Sequence, residues 1–347
     1  FSITDGMVRI KKLIAKAQEY GLPALGISDL MNEFGLVKFY KACRSAGIKP
    51  VGAADVWIGN PNAPDKPFRA MLIIRNDAGY LRLSELLTAA YVGKDRNVHH
   101  AELNPEWLEN GDNSGLICLS GAHYGEVGVN LLNGNEDAAR AAALKYAAWF
   151  PDAFYLELQR LPERPEWEAC VSGSVKLAEE LGLPVVATHP TQFMSRDDFN
   201  AHEARVCIAG GWVLTDKKRP RDFTPSQFFI PPETMAERFA DLPEALENTV
   251  EIAKRCNIHI TLGKNFLPLF PTPDGLSLDD YLVKLSNEGL QERMVQLYPD
   301  EAERAAKMPE YQERLDFELN IIIQMKFPGY FLIVQDFINW AKTHGCP

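Results

Sequence analysis

The chain lacks any Cys-x-x-Cys pair. Its six cysteines, at positions 43, 118, 170, 207, 256 and 346, are scattered. That spacing argues against a zinc knuckle and a disulfide framework, and it fits a reducing cytoplasm. No apolar run reaches the length of a membrane-spanning helix, and the first residues do not form a secretory signal. No Gly-x-Gly-x-x-Gly and no phosphate-binding loop follows an apolar segment, so the usual nucleotide fingerprints are missing. There is no Gly-x-Ser-x-Gly elbow, no internal repeat and no low-complexity stretch. Positive charge is also short: 36 Lys and Arg against 47 Asp and Glu leave a formal charge of −11. A surface that acidic repels nucleic-acid phosphates unless its cations are clustered, so weak DNA binding is expected. The chain opens on Phe1 rather than Met, and a preceding segment is expected.

What is present is enough apolar content, 46% of residues, for a sizeable core. A chain of 347 residues holds either more than one domain or one large α/β barrel with an attachment. The first two-thirds alternates short apolar strands with amphipathic helices. Thr4-Asp5-Gly6 reads as an N-cap, with Ile10, Leu13, Ile14 and Ala17 on one helical face. Strands are predicted at Pro23–Ser28, from Pro50 past Asp55, and at Arg69–Ile74, Gly115–Ser120, Phe154–Gln159 and Pro184–Thr188. Helices fill roughly 35–46, 77–91, 136–149, 166–182, 198–209 and 231–256. Repeated βα units imply a parallel sheet, either an open doubly wound one or an irregular barrel, and the barrel is favoured. Both place polar residues at strand ends, here Asp29, Asp55, Gln159 and His189.

Composition shifts at the proline-rich Leu267–Gly275. Beyond it the pattern is helical, over roughly 278–297, 309–325 and 330–343. Two apolar stripes, Tyr311-Leu315-Leu319-Ile322 and Val334-Phe337-Ile338-Ala341, are expected to pack as core.

Several stretches resemble bacterial DNA polymerase III alpha subunits, the C-family replicative polymerases, in that family's order. They are Gly35-Leu-Val-Lys-Phe-Tyr40, Gly47-Ile-Lys-Pro50, Leu119-Ser-Gly121 with Gly125-Glu-Val127, Asn248–Cys256, Phe266-Leu-Pro-Leu-Phe-Pro271 and Phe327-Pro-Gly-Tyr-Phe-Leu-Ile-Val334. The resemblance implies a PHP (polymerase and histidinol phosphatase) domain over 1–268 and the helical start of the polymerase palm over 269–347. The implied fold is an irregular (β/α)7-type PHP barrel lacking its first strand.

Active PHP barrels hold divalent metals through many His and carboxylate ligands, and a metal-bound water is their nucleophile. The resemblance carries three positions over: Asp29, Asp55 and His202 as the remains of a metal site. It also shows losses. Leu30 stands where active members have histidine, and Pro190 and Gln192 stand where they have Asp and His. The opposing reading is strand-end capping for Asp29 and Asp55, a buried helix histidine for His202 and a loop residue for His189; His123 matches no ligand position. A degenerate, metal-poor pocket is expected, because carboxylates without their cations repel one another.

Three other features carry titratable or charged groups. His99-His100 reads as a solvated loop, since neighbours rarely aim at one metal. Glu157 and Glu203 as acid and base have no spacing to support them. Lys217-Lys-Arg-Pro-Arg221, the one dense basic cluster, reads either as a contact for a phosphate backbone or acidic partner, or as a solvated loop.

The family's palm aspartates and the Mg2+ they hold lie beyond Pro347, so no catalytic residue is expected in this chain. By resemblance the intact subunit is a DNA-directed DNA polymerase acting on template–primer DNA. The PHP domain is then expected to be a scaffold that docks the proofreading exonuclease (epsilon) subunit. Other replicase subunits and the sliding clamp would bind elsewhere. The alternative is an active metal-dependent phosphoesterase or 3′–5′ exonuclease in the barrel itself.

Overall fold

The computed structural model describes residues 6–264 and 266–346, with Asp274 described by its backbone only. They fall into two compact units, 1–260 and 261–347.

The first unit is built on six strands: β1 (Ala24–Leu30), β2 (Lys49–Ile58), β3 (Phe68–Ile74), β4 (Leu116–Leu119), β5 (Phe154–Gln159) and β6 (Val185–Thr188). They form one curled half-barrel in sequence order, flanked by helices. The expectation of an all-parallel sheet fails at one strand. β1–β2, β4–β5 and β5–β6 are parallel, but β3 runs antiparallel to both neighbours. The link from β2 to β3 covers only residues 59–67, too short for the crossover helix that a parallel pair requires. This reversal has a chemical result. It puts the first residues of β3, including Arg69, beside the carboxyl-terminal half of β2, with Arg69 opposite Trp57 and Met71 opposite Asp55.

The main core lies between the sheet and the helices Asp77–Val92 and Glu136–Trp149, and includes Leu72, Ile74, Leu83, Leu86, Leu116 and Leu156. A smaller core joins helices Ile10–Glu19 and Leu36–Ser45 to β1 through Leu13, Ile14, Ala17, Leu25 and Phe39. Gly52 lets helix Leu36–Ser45 lie close to β2, since a Cβ there would stand 2.8 Å from Leu36 Cδ1. The first helix begins at Ile10 with Arg9 at its N-cap position; Thr4 and Asp5, part of the expected cap, lie outside the described residues.

Two helix boundaries differ from expectation. The long helix over 231–256 is two, Pro232–Arg238 and Pro243–Arg255, because Pro243 holds Leu242 out of helical geometry (φ −134°, ψ 61°). In the second unit, Glu301–Gln324 begins eight residues before Pro309, which is accommodated inside it. The start is set by Asp300, whose carboxylate accepts the Glu303 N–H at 2.9 Å.

The second unit comprises helices Leu278–Leu297, Glu301–Gln324 and Pro328–Thr343. Leu282, Leu319 and Leu332 form its core, with Leu315 and Ile322 against them. The first expected stripe therefore packs, apart from Tyr311, whose hydroxyl meets that of Tyr298 at 3.2 Å. The second does not: Phe337 and Ile338 are exposed, and Leu332 is buried instead. Among the described residues no single helix is long and apolar enough to cross a membrane.

Candidate functional site

The polar residues of the first unit gather where the strands run out. Asp55 lies on the face of the sheet opposite Asp29. The register pairs Leu30 with Asp55 and Asp29 with Ala54, and successive residues of a strand point to opposite faces. Gly52, two residues before Ala54, faces Leu36, so Asp29 falls on the helix-covered side. The two carboxylates named from the sequence therefore do not converge, and beside Asp55 stands Leu30, which offers no ligand atom.

Asp55 meets a cation of the protein's own. Arg69 Nη2 donates to Asp55 Oδ2 at 2.6 Å, and both side chains are largely buried. Glu157, on β5, is 3% exposed. Its Oε1 accepts from the Thr188 hydroxyl and from Gln159 Nε2 at 3.0 Å. Burial, and secondarily the charge of Asp55, push its carboxyl above the usual range. Gln159 thus serves Glu157 rather than an external ligand.

A second internal ion pair follows β6. Arg219 Nη1 lies 2.6 Å from Glu203 Oε2, each side chain only 7% exposed. His202, the neighbour of Glu203 on helix Phe199–Gly210, is fully buried, with its ring between Phe193 at 5.2 Å and Phe223 at 4.7 Å. A cavity of about 420 Å3 opens beside this pair, lined by Phe199, Asn200, Glu203, Arg219, Arg221 and Phe223 among others.

The remaining histidines behave as structural groups. His123 follows β4 through a tight turn in which Gly121 takes φ +78°. A Cβ on Gly125 would lie 1.6 Å from Ser120 O, which gives the Leu119-Ser-Gly121 and Gly125-Glu-Val127 signature a steric reason. The His123 ring stacks on Trp167 with centroids 3.6 Å apart, and neither ring nitrogen has a hydrogen-bond partner among the described residues. Burial, aided by the charges of Arg69 and Arg164, lowers its pKa to about 3. His189 Nε2 donates to Phe228 O at 2.9 Å while Nδ1 accepts from Arg238 at 3.2 Å. Burial and then Arg238 lower its pKa to about 4, so both nitrogens are already engaged on a neutral ring. His100 pairs with Glu102 at 2.8 Å in the 99–102 loop.

These residues do not fit a metal cluster. Among the described residues no three His, Cys, Asp or Glu side chains are placed to hold an ion. Asp55 and Glu203 are each matched by a guanidinium instead. Arg69 stood out in the sequence only as the first residue of a strand, and Arg219 only as part of the basic cluster 217–221, not as the partner of a buried carboxylate. The only signal was a cation at the start of an apolar strand and a basic run in a loop, and neither says which carboxylate it meets.

Comparison with known proteins assigns the class. Residues 1–161 match the PHP domain family, and residues 280–347 match the family described as the bacterial DNA polymerase III alpha NTPase domain. A PHP domain is thus followed by part of a polymerase III alpha region. Over all 347 residues the chain is 99% identical to DNA polymerase III subunit alpha of Neisseria meningitidis serogroup A. It is 47% identical to the subunits of that name from Pseudomonas fluorescens and Escherichia coli K12. The chain belongs to the bacterial DNA polymerase III alpha family, and it spans 30% of the length of these relatives. Among solved structures, a protein described as a metal-dependent phosphoesterase from Bifidobacterium adolescentis aligns at 11% identity with a TM-score of 0.31. The alignment covers 69% of this chain and 92% of that one, a likeness too loose to bear on the site.

Proposed function

We propose that this chain is the amino-terminal part of a replicative DNA-directed DNA polymerase, and that its PHP half-barrel is a metal-poor scaffold rather than a hydrolase. The observation that carries the scaffold reading is the pair of internal salt bridges, Arg69 with Asp55 and Arg219 with Glu203. A metal cluster works by presenting cations to a phosphoester and to a bound water. Here the positive charge is covalently fixed, cannot ionise water, and already satisfies the carboxylates.

Polymerisation itself belongs to Mg2+ held by aspartates outside these residues, on a template–primer and incoming deoxynucleotides, in the cytoplasm. The PHP scaffold docks the proofreading exonuclease (epsilon) subunit, while other replicase subunits and the sliding clamp bind elsewhere on the intact protein. In this reading the domain boundary falls near residue 268, before the palm. Asp29, Asp55 and His202 are what remains of the ancestral pocket.

The test uses the intact purified alpha subunit. It should retain less than one zinc or manganese per chain and show no 3′–5′ exonuclease activity without the epsilon subunit. Two or three retained ions, with hydrolysis abolished by Asp55→Asn, would establish the phosphoesterase alternative instead.

A further inference from the structure

A second cavity, of about 220 Å3, opens at the end of the sheet away from Asp29 and Asp55. It is lined by Tyr40 and Arg44 of helix Leu36–Ser45, Lys49 and Pro50 at the start of β2, and Cys256, Asn257 and Ile258 after helix Pro243–Arg255. All of these belong to the first unit. Lys49 and Asp55 lie on the same strand, and the strand rise separates them by about 20 Å. The reversal of β3 helps to build the cavity. That strand ends at Ile74 beside the first half of β2, and Arg75 follows it, its O accepting the Asn257 N–H at 2.7 Å. The space equals that of about seven waters at ~30 Å3 each and falls below the ~300 Å3 at which drug-sized sites begin, so an occupant is small.

The charge around it is one-sided. No carboxylate lines the cavity. Among the described residues Arg44 has no hydrogen-bond or ion-pair partner. Lys49 Nζ reaches only Lys254 O, at 3.4 Å, and Arg75 Nη1 only Ser114 O, at 3.5 Å. Arg255 donates to the Tyr155 hydroxyl at 2.8 Å and to Asp152 O at 2.7 Å. Every one of these acceptors is neutral. The carboxylates on adjoining segments are engaged elsewhere: Asp77 Oδ1 accepts the His259 N–H at 2.8 Å, and Glu251 pairs with Lys254 at 2.7 Å. Lys49, Arg255 and Arg75 all act on Cys256, but burial pushes its thiol up to about 11, so it stays neutral and balances none of them. Arg44 and Arg255 stand in the last turns of their helices, where a cation is ordinary. Two helix ends amount to about one negative charge, however, and Arg44, Lys49, Arg75 and Arg255 carry four positive ones. Roughly three remain without a counter-charge.

We propose that this cavity is a site for a phosphate group, free or carried by a small molecule, with Arg44 and Lys49 as its direct contacts and Arg75 and Arg255 supplying the surrounding field. A phosphate monoester carries about −1.5 to −2 at neutral pH and offers three acceptor oxygens, which suits the residual charge better than a single carboxylate does. The guanidinium takes two oxygens in its fork and the ammonium a third. Tyr40 and Asn257 bring neutral donors to the wall. A nucleic-acid backbone would need cations spaced along a track, and a chain of net charge −11 repels a polyanion. A compact anion meets only the local charge. The site stands apart from the pairs at Asp55 and Glu203 and does not depend on the scaffold reading.

The experiment titrates the intact alpha subunit with inorganic phosphate by calorimetry, in EDTA and at fixed ionic strength. Wild type should bind one phosphate per chain with a Kd of about 1 mM or below. Arg44→Gln and Lys49→Gln should each raise Kd at least about tenfold, as loss of a charged hydrogen bond does. Lys284→Gln, an exposed cation on helix Leu278–Leu297, should leave it unchanged. Phosphate should raise the melting temperature of wild type but not of the two cavity variants, whose melting without phosphate shows whether they fold; if one fails to fold, the other carries the test. Displacement of phosphate by adenosine 5′-monophosphate at a lower concentration would identify an ester as the occupant, and weaker competition would identify the free ion. Absence of saturable phosphate binding, or binding unaltered in both cavity variants, overturns the proposal. So does a short single-stranded oligonucleotide that displaces phosphate, binds more tightly and is weakened by the same variants, since the surface is then a nucleic-acid contact.

Discussion

Replacing Arg219 with Met tests whether an internal cation has taken over a metal's electrostatic role. The pair Arg219–Glu203 spans 2.6 Å with both side chains 7% exposed, so solvent screening is weak. Removing one partner of a buried pair leaves an uncompensated charge and costs about 3–5 kcal/mol. For a unit of this size each kcal/mol shifts the melting temperature by about 2–4 °C, which gives a fall of roughly 6–20 °C. Arg219→Met also loses the Arg219 Nε contact to Leu214 O, and so loosens the loop. The double variant Glu203→Gln with Arg219→Met should return to within about 2 kcal/mol of wild type, since replacing both members of a buried pair is often neutral. Thermal and urea unfolding of the four corners of this cycle gives the coupling energy directly. A single-variant loss below about 1 kcal/mol, typical of exposed pairs, would refute the claim that the charge is held in a dry site.

Three further outcomes are expected. Glu33 is partly buried in the loop before helix Leu36–Ser45; burial lifts its pKa to about 7, and a Ser84 hydrogen bond only partly offsets this. The folded carboxyl then holds its proton above the unfolded pKa, so stability falls as pH rises from about 4.5 to 7; Glu33→Gln should gain up to roughly 3 kcal/mol at pH 8 in urea titrations and little at pH 5. His189 has the opposite sign. With its pKa lowered from 6.5 to about 4, it contributes stability that is complete above pH 6.5 and lost as pH falls toward 4; that loss, roughly 3 kcal/mol, should be largely absent in His189→Gln. Gly125→Ala forces a Cβ to 1.6 Å from Ser120 O, so several kcal/mol of destabilisation should appear in the same assay, whereas the open position Gly134, at φ +73°, should lose only about 1 kcal/mol on the same change.

Much of the architecture was legible in the residues. Short β-rich runs alternating with 3.6-period helices identified all six strands and most helices of the first unit, because burial on one face writes a period into the chain. The reversal of β3 was not, although its cause was visible. The gap from Ile58 to Phe68 is too short for a helix, and a strand's direction is a property of its neighbours, not of its own side chains. The break at Leu242 was within reach, since Pro243 restricts the residue before it. The helix start at Glu301 was obscured by reading Pro309 as a terminus. A proline in an otherwise strong helix removes one hydrogen bond but does not always end it.

For the site, Leu30, Pro190 and Gln192, which the resemblance sets against metal-binding residues, and the glycines around His123 were written in the sequence, since each is a matter of which atoms a residue possesses. The family identity was legible for the same reason. Tertiary structure alone decided that Asp29 and Asp55 point to opposite faces, that Arg69 and Arg219 are the cations met by Asp55 and Glu203, and that His123 and His189 are neutral. Those facts depend on register, on one antiparallel strand and on burial. Each involves residues 14 or more apart in sequence, brought together by the sheet and its loops rather than by any local pattern.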